Sequence, residues 1–472
     1  MEASDSATVA QLPDDMIKFT VQHVAALESG ARLASLTVQN RPSIQTPHYL
    51  VPTSRGVIPH LSPDTLQRHT NISAVYIGLE DFIEKSVATA PIFKTPVQDG
   101  TSILRRYIGL PQQCLTVLGP RRVPVLPAPA HNTNSSIAIS TSVGFRFLEA
   151  QEYNKSLDIL KADISLSLTD VITKDTSSSK RIEKSADRTH AWLRDWVDSR
   201  QGKPGAGSIF ASIPAVPEQR LSFYFSDLQD EFEPHVSGLA LYSSSTIPSL
   251  APSLKSKPTI GLYDPSTPQE VLARVHNGTD LLTVPFITQA SERGIALTFT
   301  YPGAPDSTPK PLGIDLWSTT HATDTSALSP SCPCYTCTRH HRAYVHHLLQ
   351  ANEMVGWTLL QIHNFHVIDT FFASVRTSIS NDTFDQDKAN FERTYESEMP
   401  QTTGHGPRLR GYQATSVGGG ESKLNAKAWG KVDDQVQKLA EAQATGASST
   451  LASLDGDAMV IEEHGLGSRT NG

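Results

Sequence analysis

The chain is poor in cysteine, in charge and in apolar residues: it has 4 cysteines, 19% charged and 38% hydrophobic residues in 472 positions. So few cysteines exclude a disulfide-rich secreted scaffold. No uninterrupted apolar run approaches the roughly 18 residues needed to cross a bilayer, so no spanning helix is expected. The stretch from Met1 to Asp15 is polar and acidic. It lacks both the apolar centre of a signal peptide and the arginine-rich character of a transit peptide, so a reduced, intracellular setting is expected. Positive charge is in deficit too. A net charge of −8 excludes a globally basic nucleic-acid binder and leaves that work to local patches. Pro, Ser, Thr and Gly take up the apolar shortfall. They cluster at Pro124 to Ser136, Thr246 to Pro258 and Tyr301 to Pro311, which read as loops.

Against this scarcity, three of the 4 cysteines fall in one run, Cys332-Pro-Cys334-Tyr-Thr-Cys337. The C-x-C-x2-C spacing gathers three thiolates round one point, and a histidine further on completes a tetrahedron. Soft thiolates with an imidazole suit Zn²⁺. A filled four-ligand site leaves no position for a reactive water, so the metal is read as structural. Disulfide pairing does not fit a reduced compartment. Cys334 and Cys337 have redox spacing but not a thioredoxin-like context. Spacing alone leaves the fourth ligand open among His340, His341, His346, His347, His363 and His366. Of these, His346 and His347 read better as packed or solvated helix residues. Cys114 stands alone and reads as a buried structural thiol.

Short β-rich runs occur at Ser208–Ile213, Val236–Tyr242, Pro258–Leu262 and Asp280–Phe286. Helical stretches are predicted at Ser179–Trp196 and Thr267–Asn277, the second with Ser266 or Thr267 as N-cap and Gly278 as its stop. Strands alternating with helices argue for a parallel α/β architecture. A (β/α)8 barrel fits about 300 residues of such alternation. Periodicity does not separate it from a doubly wound sheet. After the cysteines, Arg342–Glu353 and Gly356–Arg376 carry apolar residues at helical spacing, with Gly356 as the expected break. The expected organisation is a barrel over 1–330, a zinc-binding helical module over 331–378 and a mostly disordered tail over 379–472. Within that tail, Ser422–Ala442 is the one helical candidate.

The run from Cys332 through Arg342-Ala-Tyr-Val-His-His-Leu348 to His363-Asn364 resembles the zinc region of tRNA-guanine transglycosylases, in order and in spacing. The resemblance extends more weakly over most of 17–378. It implies a (β/α)8 barrel carrying a zinc module, with Cys332, Cys334, Cys337 and His363 as ligands. Catalytic members exchange a guanine in tRNA through an aspartate that attacks the ribose C1′, with a second carboxylate for proton transfer.

The carboxylates of that chemistry are missing here. Where the catalytic branch has Gly-x-Asp-x-Phe-Asp, this chain reads Gly278-Thr-Asp280-Leu-Leu-Thr283. Thr283 stands at the nucleophile's place, and Asp280 matches the non-nucleophilic aspartate. The Asp-Ser-Gly-Gly-Phe-Gln element is replaced by Val75-Tyr-Ile-Gly-Leu-Glu-Asp81, and the Gly-Gly loop by Ile213-Pro-Ala215. Such a pattern resembles the accessory branch of the eukaryotic enzymes, as do Glu292-Arg-Gly-Ile-Ala-Leu-Thr-Phe299 and the basic start of Ser179–Arg188. The resemblance implies a non-catalytic subunit paired with a catalytic one. The pair would act at the wobble position of tRNAs with GUN anticodons. It also implies a cytoplasmic protein, peripheral on the mitochondrial outer membrane, although no motif here carries that placement.

Lys180, Arg181, Lys184 and Arg188 form a candidate phosphate-contacting cluster, with Arg105 and Arg106 as additions. Asp264 and Glu270 read as caps. Two competing readings stay open: a self-sufficient enzyme using Asp280 or Glu80, and a zinc-stabilised barrel serving only as an interaction scaffold.

Overall fold

The computed structural model describes residues 17–407, apart from 26–28, 85, 97–101, 129, 142–143, 174–177, 201–207 and 305–307. Eight parallel strands close into a barrel. They are β4 (His48–Pro52), β5 (Ala74–Gly78), β6 (Leu115–Gly119), β9 (Ile164–Leu166), β10 (Ser208–Ile213), β11 (Gly238–Leu241), β12 (Thr259–Gly261) and β13 (Leu281–Thr283). Three antiparallel strands precede them: β1 (Ile17–Val24), β2 (Arg32–Val38) and β3 (Ile44–Thr46). A hairpin of β7 (Ser136–Thr141) and β8 (Gly144–Glu149) is inserted after β6. Each barrel strand is followed by a helix: α1 (Pro63–His69), α2 (Ile103–Ile108), α3 (Ala150–Leu160), α4 (Ser179–Arg200), α5 (Ser222–Asp230), α6 (Pro252–Lys255), α7 (Pro268–His276) and α8 (Pro285–Glu292). Closure answers the barrel-or-open-sheet question that periodicity left.

Two apolar layers explain the stability of this arrangement. Leu50, Tyr76, Val117, Leu166, Phe210, Ile260 and Leu281 fill the barrel together with Leu36, Val38 and Ile44 of the preceding sheet, which plugs the end where the strands begin. Alternate strand residues such as Tyr49, Val51, Val75, Ile77, Leu239 and Leu282 face outward into the helix layer. At the opposite end, Gly78 lets β5 approach the loop after β6. A Cβ there would stand 2.7 Å from the Arg122 nitrogen.

A second, smaller apolar cluster of Ala296, Leu316, Leu328, Val345, Leu349, Trp357 and Leu360 lies beyond the last barrel helix. It joins β14 (Ile295–Leu297) and β15 (Gly313–Asp315) to α9 (Tyr335–Arg339), α10 (Arg342–Gln350) and α11 (Met354–Ser380). The long α11 serves both parts. Its Trp357 and Leu360 enter the small cluster, while Phe365, Phe372 and Val375 pack in the helix layer of the barrel.

Several sequence boundaries move. The folded part does not end at residue 379, because α12 (Phe384–Thr394) follows. Its polar composition hides it, but Phe384 and Phe391 are buried, with Tyr395 beside them in the layer that holds Phe371. The rest of the expected tail, including Ser422–Ala442, lies outside the described residues. Thr246–Pro258 is not a plain loop, since a 3-10 turn at Ser244–Ser249 and α6 occupy it. The run Asp280–Phe286 is strand only to Thr283, because Pro285 opens α8. Gly356 is not the break between α10 and α11. The chain turns at Asn352, whose φ is 54°, and Gly356 packs inside the first turn of α11, close to Leu348. By contrast, α7 is capped by Thr267 and ends before Gly278 at φ 99°, as its sequence predicts.

Candidate metal centre and barrel mouth

Cys332, Cys334, Cys337 and His363 converge, with all four donor atoms within 4.8 Å of one another. The Nδ1 atom of His363 stands 3.7, 3.6 and 3.4 Å from the sulfurs of Cys332, Cys334 and Cys337. A tetrahedral zinc with ordinary Zn–S and Zn–N bonds would set that sulfur-to-nitrogen edge at about 3.6 Å. The donor set therefore fits a zinc-sized soft cation. Local structure brings the ligands in. Cys334 is the N-cap of α9, its sulfur accepting the Cys337 N–H at 3.3 Å, so one helical turn sets two ligands side by side. Thr336 donates to the Leu359 carbonyl and holds that turn against α11, one turn from His363.

His363 is fixed from behind. Its Nε2 donates to the Leu297 carbonyl at 2.8 Å, which leaves Nδ1 as the lone-pair nitrogen facing the sulfurs. The adjacent Asn364 accepts the Leu297 N–H at 2.9 Å and donates to Ser291 and Ile295. The His-Asn pair thus clasps both polar groups of one strand residue. Among the other histidine candidates, His346 bonds the Leu316 carbonyl at 2.8 Å, and His340 stacks on Tyr344.

The catalytic face of a (β/α)8 barrel is the C-terminal end of its strands. Thr283 stands there, fully buried, and its hydroxyl donates to the Tyr263 carbonyl at 2.6 Å. Among the described residues, that hydroxyl's hydrogen bonds go to the carbonyls of Gly261 and Tyr263 and not to a basic side chain. Asp280 lies at the other end of the same strand. It takes two bonds from Arg32 of β2, at 2.8 and 2.5 Å, and a third from the Thr259 N–H at 2.8 Å. Glu80 and Asp81 do reach the mouth, but Arg122 takes both, at 3.1 and 2.9 Å. Burial pushes both carboxyls above the usual carboxylate range, against the lowering pull of Arg122. Asp264 is also raised by burial and by Glu270.

The predicted basic cluster divides. Arg181 and Arg188 are not free for phosphate, because both pair with the fully buried Asp170 beyond β9, at 2.5 and 3.0 Å. A buried carboxylate holds two guanidiniums more firmly than solvated phosphate would draw them out. Lys180 and Lys184 are exposed and carry no ion pair among the described residues. Arg105 is corrected likewise: it is buried against Asp163 and the carbonyls of Pro111 and Cys114. Arg106 bonds the Pro96 carbonyl. Cys114 is the buried thiol expected, raised to about 11 by desolvation. No sequence spacing pointed to Asp170, whose role follows only from its burial.

A buried polar contact couples α11 to the barrel. Tyr49 of β4 donates to Asp369 at 2.5 Å, and burial raises the Asp369 carboxyl to about 6. The folded chain therefore holds this proton more tightly than the unfolded chain. Stability is unpenalised below about pH 4 and falls as pH rises towards the folded value. The shift corresponds to ~3 kcal/mol at neutral pH. Asp369→Asn should match the wild type in chemical denaturation near pH 4 and exceed its stability at pH 7. A variant less stable at pH 7 by as much as at pH 4 would show that the charge is not strained.

Among the described residues, no helix is long and apolar enough to cross a membrane. A family model for queuine tRNA-ribosyltransferase matches residues 28–397. The chain is 34% identical to the queuine tRNA-ribosyltransferase accessory subunit 2 of Schizosaccharomyces pombe, over 82% of this chain and 86% of that one. It is 28% identical to the protein of the same name from Drosophila melanogaster, over 78% and 91%. With the Anopheles gambiae protein of that name it shares 26%, over 72% and 82%.

Proposed function

The chain belongs to the queuine tRNA-ribosyltransferase family, and from that premise we propose that it is the non-catalytic subunit of a heterodimeric enzyme. In this reading it supports exchange of guanine for queuine at the wobble position of tRNAs with GUN anticodons. The observation that carries it is Thr283. A retaining exchange needs a carboxylate at the C-terminal rim of the barrel to form the glycosyl intermediate. The rim of β13 offers a buried hydroxyl already donated to a backbone carbonyl. Two further mouth carboxylates, Glu80 and Asp81, are held by Arg122, and Asp264 beyond β12 faces the like charge of Glu270.

A self-sufficient enzyme working through Asp280 is disfavoured by distance. Asp280 precedes the three-residue strand that Thr283 ends, so the aspartate lies about 10 Å from the rim. Cys332, Cys334, Cys337 and His363 are the proposed ligands of one structural Zn²⁺, which would cross-link the cysteine loop to α11. Their role is to hold a rigid helical surface. Tyr335, Tyr344, Met354 and Val355 are exposed on that surface, and apolar side chains beside a rigid module suit a contact with the catalytic subunit. Lys180 and Lys184 remain as tRNA phosphate contacts. The mitochondrial-surface placement rests on resemblance alone.

Reconstituted guanine exchange tests the reading. Adding this chain to the catalytic subunit should raise incorporation of labelled guanine into tRNA, and a partner equally active without it would refute an accessory role.

A further inference from the structure

We propose that the outward face of the β7–β8 hairpin is a stacking platform for unpaired RNA bases. Its inner face is ordinary core: Ile137, Ile139 and Leu148 are fully buried. Its outer face carries Phe145 and Phe147, two residues apart on one strand, and these remain 41% and 47% exposed. Their cross-strand partners are the small residues Ser140 and Ala138, and Ala138 is itself buried while the two rings keep about half their surface in solvent. The two rings meet edge to face, with centroids 6.0 Å apart. Burying either phenyl inside the chain would be favourable, yet both point to solvent.

Position and charge select the occupant. The Arg122 guanidinium donates to the Ser140 carbonyl at 3.0 Å, and Thr141 donates to the Glu84 carbonyl. The hairpin therefore lies over the loops that follow β5 and β6, on the C-terminal rim of the barrel. At its base, Arg188 and Trp192 of α4 bond Asn134, which brings α4 alongside. Lys184 lies one turn from Arg188, with Lys180 one turn further, and both are exposed and unpaired among the described residues. Arg146, between the two phenylalanines, pairs with Ile139 and so leaves the strand on the opposite, inner face, where its guanidinium bonds the Phe145 carbonyl; the cations beside the platform are Lys180 and Lys184. Aromatic side chains at alternate strand positions, flanked by unpaired cations, are how sheet surfaces hold single-stranded RNA: the rings stack bases and the cations meet phosphates. Glu149 lies on the same face at the end away from Thr141 and bounds the platform there.

The inference rests on the reading that tRNA is the substrate, and it adds where an unpaired segment would lie. The experiment uses the full chain and two probes: a fluorescein-labelled anticodon stem-loop RNA and a fully paired RNA duplex. Phe145→Ala with Phe147→Ala should weaken stem-loop binding by roughly tenfold or more. Duplex binding and the slope of affinity against salt should not change. Tyr at both positions should retain binding, which controls for folding. Lys180→Ala with Lys184→Ala should instead lower the salt slope by about 1 per lysine. Wild-type stem-loop affinity in the double alanine variant would overturn the platform. So would loss of catalytic-subunit binding with RNA affinity intact, which would make the face a protein interface. Failure of the accessory reading shows separately, as reconstituted exchange indifferent to this chain.

Discussion

Cys334→Ser is expected to release the metal and unfold the turn from Cys332 through α10 while the barrel stays folded. Serine is a good helix N-cap, so the bond to the Cys337 N–H survives the change. What is lost is one of four ligands in a cluster whose donors all lie within 4.8 Å. Three sulfurs and an imidazole brought that close repel and crowd one another unless a cation sits among them. Binding free energy in such sites is folding free energy, on the order of 10 kcal/mol for small zinc modules. The barrel has its own apolar layers and should keep its transition, whereas the small cluster round Trp357 and Val345 depends on the staple. Native mass spectrometry should find one zinc in the wild type and none in the variant. Hydrogen exchange should become fast in α9 and α10 alone. Full protection of those helices in a metal-free protein would contradict a structural metal. If the module's exposed tyrosines face the catalytic subunit, the variant should also lose that partner.

Asp280→Asn is expected to cost about 3–5 kcal/mol of stability, because it strands the Arg32 guanidinium against a buried site. Asp280 is 1% exposed, and the pair joins the plugging sheet to the start of β13. Arg32 also donates to the carbonyls of Lys255 and Lys257, and these further bonds hold the guanidinium beside the vacated site. Replacing both partners, Arg32→Met with Asp280→Leu, should recover much of the loss, since apolar pairs commonly substitute for buried ion pairs. Urea denaturation reads both variants. In reconstituted exchange, Asp280→Asn should reduce activity only in proportion to the folded fraction. An unchanged urea midpoint with abolished exchange would return Asp280 to the chemistry.

What the sequence made legible was local. The cysteine run announces a metal because its spacing is contiguous, and Ser208–Ile213 coincides with β10 because a buried strand reads as a continuous apolar run. The fourth ligand was open among six histidines on spacing. The resemblance chose His363, and the structure gives a physical reason in Leu297, whose carbonyl orients the ring. Tertiary facts stayed hidden. Arg181 and Arg188 looked like a surface patch because nothing in Leu168-Thr-Asp170 says that the carboxylate is buried. Helix α12 escaped because its two buried phenylalanines sit among seven charged or amide side chains. The Gly144-Phe-Arg-Phe-Leu-Glu149 alternation did carry a strand signal, but only the pairing with β7 reveals which face is left open.

The most direct test of the central claim is labelled-guanine exchange into tRNA by this chain alone, free of the catalytic subunit. With Thr283 in place of a carboxylate at the end of β13, no incorporation above background is expected at any protein concentration, while the two subunits mixed are active. Incorporation by this chain alone would contradict the account and return the search to Glu80 and Asp81 at the barrel mouth.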